Sequence, residues 1–213
     1  QEAVASDLRS EQEKARDAWR HPAETLEFFG IQPSQKVVEV WPGGGWYTNI
    51  LAPWIESGGG TLVAAGFDAA AIEDPERRAR TEERLAEFKA AYADPKFGNM
   101  EYTVFSASSG SLTEPGTADA VLTFRNLHNW MASGYAEKFF ADAYDALKPG
   151  GTLSSLGVYS TDLTIPLNAF AAGLGDHRIV TALCPGGKER MRRLMNVLES
   201  GRVDLSHMVT HEY

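Results

Sequence analysis

Hydrophobic and polar positions along the chain alternate between two regimes. Short apolar, often β-branched runs cover residues 37–40 (VVEV), 61–68 (TLVAAGFD), 100–108 (MEYTVFSAS), 120–124 (AVLTF) and 152–160 (TLSSLGVYS). Bounded by Gly, Pro, Asn or Asp, runs of this length predict strands. Longer stretches with helical spacing separate them. Residues 6–20 are polar and rich in helix formers, with Ser6 or Asp7 as cap and a narrow stripe of Ala15, Ala18 and Trp19. Residues 22–29 predict a short helix with Pro22 in its first turn and Gly30 as its stop, packing Leu26, Phe28 and Phe29 on the core. Both read as a lid or brace before the first strand. Residues 49–56 predict a helix disturbed by Pro53, and residues 71–93 a charged helix whose Leu85, Phe88 and Tyr92 form the apolar stripe. Residues 134–147 predict another, stopped by the Lys148–Gly151 breakers. The tail adds a strand over 176–183, an amphipathic helix over 188–201 ending at Gly201, and a strand over 205–213.

Strands alternating with helices predict an α/β fold, a Rossmann-like doubly wound, mostly parallel sheet with N-terminal helices. Right-handed crossovers put the loops after the strands on one edge, where ligands bind. At 213 residues the chain predicts one domain. Residues 1–35 would brace it, 36–153 would form its core, and 154–213 would finish the sheet.

Composition narrows the partners. A formal charge of −9 argues against a nucleic-acid backbone, which calls for concentrated Lys and Arg. No apolar run approaches the roughly 18 residues of a membrane span. The single Cys184 excludes an intrachain disulfide. The chain opens on Gln1, which leaves the compartment open: a soluble protein, cytoplasmic or exported after loss of a leader.

The chemistry gathers around residues 37–48, VVEVWPGGGWYT. Glycines directly after a buried strand permit a sharp turn and leave room for a ligand. Gly43 and Gly45 fit a G-x-G-x-x-G pattern, but Thr48 takes its third place, and no Lys-Ser/Thr follows as in a P-loop. Asp68 lies about 20 residues beyond, the spacing of an acid that accepts hydrogen bonds from a ribose. As an alternative, Asp68 caps the following helix. Among the tail residues, Cys184, His207 and His211 are a poor metal set, because two His four apart on a strand stand about two pleats apart.

Residues 20–153 resemble a class I S-adenosylmethionine-dependent methyltransferase, of the type of small bacterial predicted methyltransferases. The similarity rests on VVEVWPGGGWYT, GFD after strand two, ADAVLTFRNLHNW around strand four and ALKPGGTL before strand five. The resemblance implies S-adenosylmethionine as cofactor and a small-molecule acceptor. Glu39 would orient the glycine turn or the methionyl amine, with Gly43, Gly44, Gly45, Tyr47 and Thr48 around the cofactor body. Asp68 would hold the ribose, and Ser106 and Ala107 would contact the adenine. Asn126 and His128 would line the transfer side, with His128 either a general base or a positioner of its loop. Trp46, Tyr47 and Trp130 wall an aromatic pocket or belong to the core.

From about residue 150 the sequence resembles instead the C-terminal region of medium-chain zinc-type alcohol dehydrogenases. The apparent junction of this chimera falls in the shared Lys148–Gly151 turn. That family's catalytic zinc ligands sit in an N-terminal domain that the tail does not bring with it. Two further readings follow from the changed tail. One is a repurposed or inactive α/β domain, with promiscuous esterase activity through Ser108 and His128 although no G-x-S-x-G elbow is present. The other is a homo-oligomer formed through the tail.

Overall fold

The computed structural model describes residues 2–98, 100–156 and 178–181. Six parallel strands form its sheet, in the order β3-β2-β1-β4-β5-β6. They are β1 (Lys36–Val40), β2 (Thr61–Phe67), β3 (Glu101–Phe105), β4 (Ala118–Phe124), β5 (Leu147–Leu156) and β6 (Arg178–Thr181). The Rossmann-like α/β expectation holds, and the order reverses between β1 and β4. The predicted helix over 188–201, the final strand, and Cys184, His207 and His211 lie outside the described residues.

β1 explains why this strand is central. Val37, Val38, Glu39 and Val40 are all buried, so both faces of the strand are covered. On one face Val38, Val40, Val63 and Val121 pack with Phe139, Phe140 and Ala143 of helix α8 (Ala136–Ala146). On the other, Val37, Leu62 and Leu122 meet Ile50, Leu51 and Ile55 of helix α5 (Thr48–Ser57), joined by Leu26 and Phe29 of helix α4 (Pro22–Phe29). Burying one such aliphatic side chain contributes about 1.5–3 kcal/mol. Loss of either helix would therefore strip a whole face of the sheet.

Three local expectations need correcting. After a first turn, α1 (Glu2–Ala5), the single helix expected over 6–20 is two one-turn pieces, α2 (Glu11–Lys14) and α3 (Asp17–Arg20). Ser10 opens α2 in a capping box with Glu13, and the Arg9 side chain is drawn inward. It donates to Val4 O at 2.6 Å and forks onto Asp17 at 2.7 and 2.6 Å. Trp19 consequently points outward, 80% exposed, and Phe28 of α4 is exposed as well. Finally, β5 begins at Leu147, ahead of the breakers. Lys148–Gly151 run within the strand beside a register shift opposite β4.

Helix α6 (Pro75–Ala91) starts at an Asp74 cap with Pro75 in its first turn, and none of its residues is buried. Helix α7 (Leu127–Ala132) follows β4 directly, in a stretch read from sequence as a loop.

Candidate functional site

The reversal of strand order puts a crevice above the carboxyl ends of β1 and β4, the usual place for a ligand in such a sheet. Two non-glycine residues there adopt left-handed backbone: Trp41 after β1 (φ 54°) and Arg125 after β4 (φ 64°). Strain of this kind costs on the order of 1–3 kcal/mol per residue and clusters at functional sites. Neither was singled out from sequence for this feature. The only signal available was their place immediately after a buried strand.

Asn126 bridges the two strained ends. Its Nδ2 lies 3.3 Å from Val40 O, 3.2 Å from Trp41 O and 3.1 Å from Thr123 Oγ1, donating within the protein. Its side-chain nitrogen is thus committed to holding the turn. His128 sits half-buried in the first turn of α7, with no hydrogen bond or ion pair to a described residue.

Gly43 (φ 62°) and Gly45 (φ 82°) make the turn possible. A Cβ added at Gly43 or Gly44 would meet nothing within 4 Å, so this backbone faces open space. A Cβ at Gly45 would overlap the Tyr92 hydroxyl, which lies 3.2 Å from Gly45 O and 2.7 Å from Asn49 Oδ1. Glu39 and Thr48 sit behind the turn. The Thr48 hydroxyl donates to Glu39 Oε2 at 2.7 Å, and both residues are essentially shut off from solvent. Burial drives the Glu39 carboxyl up to about 7, against the lowering effect of the Thr48 donor. Glu39 therefore supports the turn from beneath.

The aromatic residues divide differently. Tyr47 is buried, stacked on Phe124 with centroids 3.6 Å apart, and burial pushes its hydroxyl up to about 12. Trp130 is fully buried against Phe105 and Phe139. Both belong to the core. Trp46 is half-buried, with the guanidinium groups of Arg9 and Arg20 over its ring at 4.9 and 4.8 Å.

Asp68 ends β2 and links to the end of β3. Its Oδ1 accepts from Ala70 N at 3.1 Å, capping the short turn Ala69–Ala71, and its Oδ2 accepts from Ser106 Oγ at 2.9 Å. Asp68 thus caps only this short turn, and the helix expected after it is capped by Asp74 instead. Ser106 is buried, while Ala107 and Ser108 are exposed beyond it. The exposed Phe67 ring packs 4.3 Å from Trp41, forming an apolar shelf beside this polar rim. Among the described residues, no three His, Cys, Asp or Glu gather as a metal ion would need.

No protein-family model matches the chain. An alcohol dehydrogenase from Cupriavidus necator is 78% identical over 74 residues, 35% of this chain and 20% of that protein. An NADP-dependent isopropanol dehydrogenase from Thermoanaerobacter brockii is 33% identical over 105 residues, 48% of this chain and 27% of that protein. The chain thus spans about a quarter of the length of these curated relatives. Among solved structures, a cinnamyl alcohol dehydrogenase from Sorghum bicolor superposes with a TM-score of 0.50 at 15% identity, over 92% of this chain and 48% of that one. At that identity the superposition speaks for the fold alone.

These findings support the dehydrogenase resemblance of the C-terminal region. They overturn the methyltransferase reading and, with it, S-adenosylmethionine as cofactor. The esterase alternative gains no support from them either. The physical reason for the misreading is plain. A glycine turn after β1 and an acid after β2 serve any ligand with a ribose, so they locate a site without naming its occupant.

Proposed function

We propose that the chain holds a nicotinamide dinucleotide as part of an alcohol-dehydrogenase-type oxidoreductase. The observation that carries this reading is the half-buried Asp68 carboxylate, set beside an open glycine turn at the strand-order reversal. The identity to alcohol dehydrogenases supports the choice of cofactor.

The residues present fit the adenosine half of such a molecule. Each Asp68 oxygen accepts one hydrogen bond within the protein and has a lone pair left for a ribose hydroxyl. Gly43 and Gly44 allow the backbone to come close to a pyrophosphate. Thr48 replaces the third glycine, and its bond to Glu39 takes over the contact between helix and strand. When bound, the nicotinamide supplies hydride transfer; the side chains described here bind and orient its other half.

Asp68 also argues about which dinucleotide. A 2′-phosphate would sit beside its negative charge, which favours NAD(H), although the Thermoanaerobacter brockii relative is named NADP-dependent. Calorimetry with NADH and NADPH tests this. Saturable NADH binding at least tenfold tighter than NADPH is expected, with Asp68→Ala weakening NADH and narrowing the gap. Absence of binding by either dinucleotide to folded protein would refute the proposal.

A further inference from the structure

Helix α6 covers β2 and β3 without closing on them. Its apolar stripe faces the sheet, yet Leu85 and Phe88 are only half-buried, and a cavity of about 1080 Å3 lies along this face. Typical ligand cavities measure about 300–1,000 Å3. An apolar face left without partner atoms forfeits the dispersion contacts of a packed helix. Among the described residues, nothing completes the layer here.

The lining has two characters. Along the first ten residues of α6 it carries Arg77, Arg80 and Arg84, and Gly43 and Gly44 line it as well. Further along, Leu85 stands over Gly66, and Phe88 meets Tyr102 edge-on at 6.5 Å. Among the described residues, the Arg77 and Arg84 side chains form no ion pair or hydrogen bond, while Arg80 reaches Glu76 at 3.4 Å. With Lys89, four cations face the cavity against the single carboxylate of Glu87, in a chain of net charge −9. A basic mouth leading to an aromatic and aliphatic interior is a local reversal of the molecule's charge.

We propose that this cavity binds an anionic amphiphile, an acyl carboxylate whose head meets Arg77 and Arg84 and whose chain lies against Leu85, Phe88 and Tyr102. Guanidinium groups match a carboxylate with paired donors, and the free pair here needs no existing ion pair broken. The chain fills the face that α6 leaves open, so binding stabilises the fold as well as the complex. The cavity shares its Gly43–Gly44 rim with the dinucleotide reading, and competition with NADH separates the two.

The test uses dodecanoate and its uncharged counterpart dodecanol, below their micelle and solubility limits, followed by calorimetry and thermal melting. Dodecanoate is expected to bind saturably and raise the melting temperature, with dodecanol at least tenfold weaker. The exposed double variant Arg77→Ala/Arg84→Ala should bind the two alike, and Leu85→Trp, which fills the interior, should weaken both. Asp68→Ala should leave dodecanoate binding unchanged. No saturable binding to folded protein overturns the proposal, as does binding indifferent to the arginine pair. Displacement of dodecanoate by NADH with one-to-one competition also overturns it, because the carboxylate would then occupy the cofactor turn.

Discussion

Glu39 and Thr48 are joined by a 2.7 Å hydrogen bond in a space closed to solvent, directly beneath the glycine turn. In the folded protein the carboxyl titrates at about 7, against 4.5 for the free side chain, because burial disfavours its charge. As pH rises, the unfolded chain gives up this proton first, so ionisation favours unfolding. The stabilisation is complete below about 4.5 and is lost by about 7. Over that window wild-type stability should fall by an amount on the order of 3 kcal/mol. Glu39→Gln should flatten the decline. Urea denaturation at a series of pH values measures both, and parallel profiles would disprove the assignment.

Asn126 is expected to act on the turn. Asn126→Ala removes the donor shared by Val40 O, Trp41 O and Thr123 Oγ1, and should cost about 1–3 kcal/mol in a urea melt. NADH affinity should drop several-fold, since the Trp41 end of the crevice loses its tether. An unchanged affinity would detach Asn126 from the site.

Arg125 should respond in the opposite sense. Its backbone is left-handed (φ 64°) and its side chain is exposed, so little packing is lost on truncation. Arg125→Gly relieves the strain, and a gain of about 1 kcal/mol is expected. A destabilised variant would show that the side chain matters more than the backbone.

Asp17 neutralises a guanidinium whose side chain has no solvent exposure. Asp17→Ala leaves that charge buried without its partner, at a cost of about 3–5 kcal/mol. The double variant Arg9→Met/Asp17→Ala should regain part of it. Chemical denaturation of both variants provides the comparison.

Much of the architecture was legible in local sequence. The run Val37–Val40 could be covered on both faces only in a parallel sheet, and Gly30 stops α4 in left-handed backbone as its position suggested. The first 20 residues were not legible. Their helix propensity is uniform, but Arg9 takes the carbonyls of Val4 and Glu13, and Trp46 donates to Glu13 O, contacts that no local pattern displays. The site was legible as a place. Glu39 near the end of β1, the glycines after it, Asp68 after β2, Ser106 after β3 and Asn126 after β4 all gather at the carboxyl edge of the sheet, where the ends of the apolar runs pointed. Its occupant was not. Asp68 offers the same two oxygens to any ribose, and the left-handed Trp41 and Arg125 declare themselves only in three dimensions.

Trp41 has one more property. Its indole nitrogen donates to Phe105 O at 3.0 Å, and its ring meets Trp130, Phe105 and Tyr135 as well as the half-exposed Phe67. The indole is held against the core by Trp130 and Phe105, and it remains only partly buried. Anything entering the crevice alters the polarity around that indole. The chain holds five tryptophans, so the part of an emission change that Trp41→Phe abolishes becomes a label-free gauge of whether the crevice is filled.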